Sequence, residues 1–143
     1  MISKETVWKD SKKFGERNDC SVKAVALATG TKYAKVHYEY AKQGRKEGRG
    51  THFYQQVKVL RELGFELELV HVGHYVDKNV KNKFKAKTVT TLEKELPSRG
   101  IFLIYTRGHM LCARGGKILD WTQGRRHQLR DIYRVVKLAP ITF

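Results

Sequence analysis

Cysteine, acidic residues and long apolar runs are all scarce in this sequence. Only two cysteines occur among 143 residues, too few for the disulfide framework that stabilises small secreted domains. The apolar run from Ile101 to Tyr105 is far shorter than the about 20 residues that a membrane-spanning helix needs. Residues 1–14 contain no apolar signal core, so we expect a mature cytoplasmic protein with reduced thiols and no membrane partner.

The shortage of acidic residues makes the chain strongly basic. Lysine and arginine total 29 against 14 aspartates and glutamates, a net charge of +15. A charge of this size attracts polyanions and says little about the fold. The basic runs at 78–87 and 124–130 are typical of solvated faces. Together with the overall charge, they also favour non-specific binding of nucleic acid or another polyanion.

Hydrophobic periodicity changes along the chain from helical spacing to strand-like alternation. The pattern indicates helices first and an antiparallel sheet last, which predicts one α+β domain over residues 1–143. The polar residues 1–17 are expected to form an irregular N-terminal arm. Helices are predicted over 20–29, 32–43 and 52–63, and strands over 65–72, 101–105, 109–114, 117–121 and 132–138.

Cys20 lies at the predicted first turn of a buried, alanine-rich helix. Asn18 or Asp19 can cap this helix, and Gly30 ends it. The free N–H groups and the dipole of a helix N-terminus favour the thiolate, which is the nucleophilic form of cysteine. A lone helical cysteine is more often a buried hydrophobic residue. The nucleophile interpretation therefore requires a base and a group that orients that base.

A hairpin late in the sequence offers both groups. Gly115 and Gly116 form a two-residue turn signal between two strand-like runs. With that turn, His109 and Asp120 share one face as diagonal cross-strand neighbours, roughly 7 Å apart at the backbone. Cys112 falls on the opposite, apolar face. The register thus predicts a histidine beside a carboxylate, with Cys112 in a core.

Two motifs together resemble the papain-like cysteine peptidase fold, most closely the compact bacterial and phage forms related to C39-like peptidases. They are "NDCSVKAVALATG", which contains Cys20, and "RGHMLCARGGKILDW", which contains His109 and Asp120. The resemblance implies N-terminal helices packed on a C-terminal sheet. It also implies Cys20 as nucleophile, His109 as general base and acid, and Asp120 as the orienting group. The substrate would be a protein or peptide, and no cofactor or metal would be needed.

The resemblance also directs attention to the residues around the nucleophile. The family's usual oxyanion donor is a glutamine several residues before the cysteine, and no glutamine precedes Cys20. Asn18 carries the nearest side-chain amide and is the candidate donor. Gly50 and Thr51, at the end of a basic glycine-rich stretch, and Gly108 are candidate substrate-binding residues. The pattern of that stretch, residues 44–50, nevertheless favours a solvated basic loop.

Several functions remain open at this level. The leading hypothesis is a thiol hydrolase that cleaves a peptide or isopeptide bond. The same residues could instead transfer the acyl group to an amine, as transglutaminase-like enzymes do. The second hypothesis is a non-enzymatic nucleic-acid-binding or virion-internal protein on the same scaffold, favoured by the high charge and the missing glutamine. His71 and His74 have no accompanying cysteine pair, so no metal site is expected.

Overall fold

The computed structural model describes residues 2–73, 82–119 and 128–138, and it confirms the α+β class. In these ranges no helix is long and apolar enough to cross a membrane. The helices are α1 (Lys4–Lys13), α2 (Cys20–Thr29), α3 (Tyr33–Lys42), α4 (Phe53–Glu62) and α5 (Val89–Leu92), the last followed by a 3₁₀ turn at Glu93–Glu95. The strands are β1 (Phe65–Val72), β2 (Ile101–Thr106), β3 (His109–Arg114), β4 (Lys117–Ile118) and β5 (Leu129–Lys137).

The N-terminal segment contains a helix, so the prediction of an irregular arm over 1–17 is wrong. The hydroxyl of Ser3 caps α1 by accepting from the backbone N–H of Thr6 at 3.2 Å. Val7 and Ser11, one helical turn apart, are the buried residues of α1. Such a short inward stripe is hard to detect in a polar sequence, because helices of this length depend on tertiary packing more than on propensity.

Helix α2 is the central buried helix, with the bounds that the sequence predicts. Gly30 ends it in the left-handed conformation, with φ of 69°, and donates its N–H to the carbonyl of Ala26. The small residues of α2 let it lie close against β3. It shares a core there with Met110 and Cys112.

The strands form one antiparallel sheet in the order β1-β5-β2-β3-β4. The turn at Gly115 and Gly116 is confirmed, since Ala113 pairs with Ile118 across it. Within the described residues β4 ends at Ile118, which makes it shorter than the predicted strand 117–121. Asp120 lies outside the described residues, so its place beside His109 stays a prediction.

Both faces of the sheet are covered by apolar side chains. The face toward α2 includes Cys112, which is fully buried, as predicted. The opposite face packs against α5 and the segment that precedes it. Residues of this second core include Phe84, Val89, Leu92, Phe102, Ile104, Leu111 and Ile132. Strands β2 and β3 are therefore buried between two apolar layers, whereas β1 and β5 carry exposed charged side chains such as Glu68 and Arg134.

Candidate active site

A cavity of about 650 Å³ is lined by three separate stretches of chain. They are the N-terminal end of α2 with the residues before it, the region where α4 begins, and the turn between β2 and β3. Six of the seven candidate site residues line this one cavity: Asn18, Cys20, Gly50, Thr51, Gly108 and His109. Asp120, the seventh, lies outside the described residues.

Asp19 occupies the N-cap position of α2, but its carboxylate makes no capping hydrogen bond. It accepts instead from the hydroxyls of Ser11, at 2.6 Å, and Tyr33, at 2.7 Å. The expectation that an Asp19 side chain caps the helix is therefore wrong, because α1 and α3 offer it buried donors. The side chain of Asp19 therefore does not cap the first turn of α2, which begins at Cys20.

The carboxylate of Asp19 is buried yet ionised. Burial alone would raise its pKa, but hydrogen bonds from Ser11 and Tyr33 and the nearby charge of Lys23 lower it overall. The ammonium of Lys23 lies 3.3 Å from the carboxylate and also lines the cavity. A fixed anion next to Cys20 opposes a thiolate, and Lys23 offsets that repulsion.

Glu16 joins the segment before Cys20 to the loop after α3. Its carboxylate contacts the guanidinium of Arg45 at 2.5 Å, the imidazole of His37 at 2.6 Å and the N–H of Gly48 at 2.9 Å. Burial would raise the pKa of Glu16, but these partners together lower it to about 2. Because the guanidinium is buried too, Arg45 anchors the glycine-rich stretch, whereas Lys46, Glu47 and Arg49 beside it are exposed.

Asn18 has a left-handed backbone, with φ of 54°, which asparagine tolerates better than most residues. Its side-chain amide donates to the carbonyl of Gly48 at 2.9 Å. One N–H of the predicted oxyanion donor is thus already used to hold the loop beside the cavity. Its oxyanion role stays a prediction, and the structure gives Asn18 a positioning hydrogen bond.

A chain of hydrogen bonds, missed in the sequence, runs along one wall of the cavity. The hydroxyl of Tyr105 donates to Oε1 of Gln56 at 2.7 Å, and Nε2 of Gln56 donates to the hydroxyl of Thr51 at 2.9 Å. Thr51 in turn donates to the hydroxyl of Ser21 at 2.8 Å. The chain therefore ends beside Cys20.

Gln56 had a detectable signal in the sequence. It lies one helical turn before Val59 and Leu60, both fully buried, so it belongs to the inward face of α4. Buried polar side chains in proteins are hydrogen-bonded, and a glutamine on an inward helical face therefore predicts a partner. Its partner, Tyr105, lies 49 positions away and could not be identified from local pattern.

His109 is the first residue of β3 and pairs with Thr106 of β2. Strand alternation puts these two residues on the face opposite Tyr105 and Met110, and all four line the cavity. The cavity therefore reaches both faces at this end of the sheet. Cys20 comes from the helical layer, which packs on the Met110 face.

Comparison of the chain with protein-family models, with curated proteins and with solved structures found no match. In the part of the chain that the structure describes, no group of three or more histidines, cysteines or carboxylates could hold a metal ion. His71 is buried, and burial chiefly lowers its pKa. His74 lies outside the described residues.

Proposed function

We propose that this chain is a papain-like thiol hydrolase that cleaves a peptide or isopeptide bond. Cys20 is the nucleophile and His109 the general base and acid. Asp120, by the predicted hairpin register, orients the imidazole. Gly50, Thr51 and Gly108 border the path of the substrate backbone. No cofactor takes part in these steps.

Cys20, His109 and water are sufficient for every bond and proton transfer of the hydrolysis. His109 takes the proton of the thiol as the sulfur of Cys20 bonds to the substrate carbonyl carbon. When the C–N bond breaks, His109 gives that proton to the leaving amine. Water then attacks the thioester, losing a proton to His109, and the acid leaves as the thiol is restored. An amine in place of water would give acyl transfer with the same residues.

The observation that carries the proposal is the shared cavity of Cys20 and His109. The two residues are 89 positions apart in a 143-residue chain, and both line the same space. Cys20 is only partly buried, whereas Cys112 is fully buried. A structural cysteine needs no access to a cavity, but a nucleophile does.

Brief alkylation of the native protein tests the proposal. Iodoacetamide at mildly acidic pH, followed by peptide mapping, should label Cys20 and leave Cys112 unmodified. Thiolates stabilised by a helix N-terminus and an imidazolium react below the pKa of about 8.5 of a free cysteine. Cys112 is the internal control. If Cys20 stays unlabelled until denaturant is added, it is a core residue and the proposal is wrong.

Binding of a polyanion is a second candidate function. It is supported by contacts between the basic runs 78–87 and 124–130. Thr88 forms a bridge with Gln128, and the N–H of Leu129 donates to the carbonyl of Lys87. The segment before α5 therefore lies against the start of β5. In the described parts of these two runs, 82–87 and 128–130, the exposed cations are Lys83, Lys85, Lys87 and Arg130.

A salt titration of single-stranded DNA binding tests this second function. For each phosphate neutralised, log K should fall by about 0.7 per unit of log salt concentration. Replacing Lys85, Lys87 and Arg130 by glutamine should flatten that slope, whereas Cys20→Ala should leave it unchanged. Negligible affinity already at moderate salt would remove the support for a dedicated nucleic-acid site.

A further inference from the structure

We propose that Gln56 supplies the side-chain N–H that stabilises the oxyanion formed when Cys20 attacks a carbonyl. This inference rests on the proposed function. It places the side-chain oxyanion donor on α4. This position replaces both the glutamine that usually precedes the nucleophile and the earlier candidate Asn18. Tyr105 is the positioning residue that holds the amide of Gln56 in its orientation.

An oxyanion site needs donors that are in place before the charge develops. The first-turn N–H groups of a helix point out of its N-terminal end, and Cys20 is the first residue of α2. This helix end favours negative charge near Cys20, and a side-chain donor must supplement it.

Tyr105 fixes which end of the Gln56 amide can donate. Its hydroxyl donates to Oε1 at 2.7 Å, so the amide nitrogen lies on the other side, toward Thr51. The hydroxyl of a tyrosine is protonated at neutral pH, and burial raises the pKa of Tyr105 further. A side-chain amide nitrogen carries two hydrogens. One is donated to Thr51, and among the described residues no hydrogen bond uses the second, which can be donated to a substrate oxygen.

Burial distinguishes Gln56 from Asn18 as the donor. Gln56 is 6% exposed and lines the cavity, and both ends of its amide are held by hydrogen bonds. Asn18 is exposed, and its amide is drawn to Gly48 in the loop. Hydrogen bonds are stronger in a water-excluded site, where a fixed donor needs no reorganisation during the reaction.

Two reactions of Cys20 separate an oxyanion role from a structural one. Acylation by p-nitrophenyl acetate passes through an oxyanion, whereas alkylation by iodoacetamide is a direct displacement without one. Gln56→Ala should slow acylation about 100-fold, the usual loss for one oxyanion donor, and leave alkylation nearly unchanged. Tyr105→Phe, which frees the amide to rotate, should slow acylation by a smaller factor.

Gln55→Ala is the matched control. Gln55 is buried on the same helix but bonds to the N–H of His52 and the carbonyl of Gln43, and it does not line the cavity. The Gln55→Ala substitution should destabilise α4 without changing the ratio of the acylation rate to the alkylation rate. Gln56→Met keeps a side chain of similar length without the N–H donors and without a charge, and should slow acylation even if the alanine variant folds poorly.

The possible outcomes are distinct. Wild-type acylation in both Gln56 variants, or an equal fall in both reactions, overturns the assignment of Gln56. A selective loss of acylation supports it. If Cys20 of the wild-type protein reacts with neither reagent, the proposed hydrolase function fails, and this inference fails with it.

Discussion

Glu16→Gln should strongly destabilise the protein while hardly changing the volume of the side chain. The carboxylate of Glu16 and the guanidinium of Arg45 are 0% and 2% exposed. The substitution removes the negative charge and leaves that guanidinium buried without a counter-ion. Breaking a buried ion pair in this way costs about 3–5 kcal/mol. Because the amide oxygen can still accept from Gly48, we expect the lower end of that range.

Urea unfolding of matched variants measures this effect. Glu68→Gln is the control, since its pair with Arg134 is similarly short, at 2.6 Å, but about half exposed on both sides. Exposed pairs contribute about 0.2–1 kcal/mol. Combining Glu16→Gln with Arg45→Met should cost less than the sum of the single changes, by about 2 kcal/mol, because no unpaired charge remains buried.

The pKa of Glu16 gives the same prediction a pH dependence. Its folded-state pKa of about 2 lies below its ordinary value of 4.5, so between these values the unfolded chain binds more protons. The stabilisation is therefore full above about pH 4.5 and is lost as the pH falls toward 2. This part of the acid destabilisation should be absent in Glu16→Gln. If Glu16→Gln lowers the free energy of unfolding no more than Glu68→Gln does, the buried ion pair of Glu16 and Arg45 is refuted.

Two further changes test the hairpin and the sheet. By the predicted register, Asp120→Asn should keep part of the acylation activity of Cys20, because an amide oxygen can still accept from the imidazole. Asp120→Ala should lose more of that activity. Wild-type rates in both variants would remove Asp120 from the mechanism. Gly73→Ala should destabilise the protein by about 1–3 kcal/mol in urea, because its Cβ would lie 2.4 Å from the carbonyl oxygen of Leu129. Gly50→Ala, which has nothing within 4 Å of its Cβ, should unfold like the wild type.

Local signals in the sequence were enough to predict the helix and the strands that carry Cys20 and His109. Gly30 marks the end of α2 because a left-handed cap suits glycine, and the two-glycine turn specifies the register of β3 and β4. These signals act over a few residues. They therefore predicted the position of Cys20 at a helix start and of His109 at the beginning of a strand.

The parts that local signals missed depend on contacts between distant residues. Glu16 and Arg45 are 29 positions apart, and Gln56 and Tyr105 are 49 apart. Nothing in the spacing of either pair indicates the partner. The side chain of Asp19 illustrates the same point, because its local role as a helix cap is replaced by buried donors from α1 and α3.

The proposed hydrolase requires Cys20 and His109 to act as a pair. The most direct measurement is the alkylation rate of Cys20 across pH in the wild type and in His109→Ala, with folding checked by circular dichroism. We expect the wild-type rate to persist into mildly acidic pH, because an imidazolium stabilises the thiolate. Without His109, the rate at about pH 6 should fall at least tenfold, as the thiolate fraction moves toward that of an unpaired cysteine. Superimposable pH profiles in two folded proteins would contradict the pair.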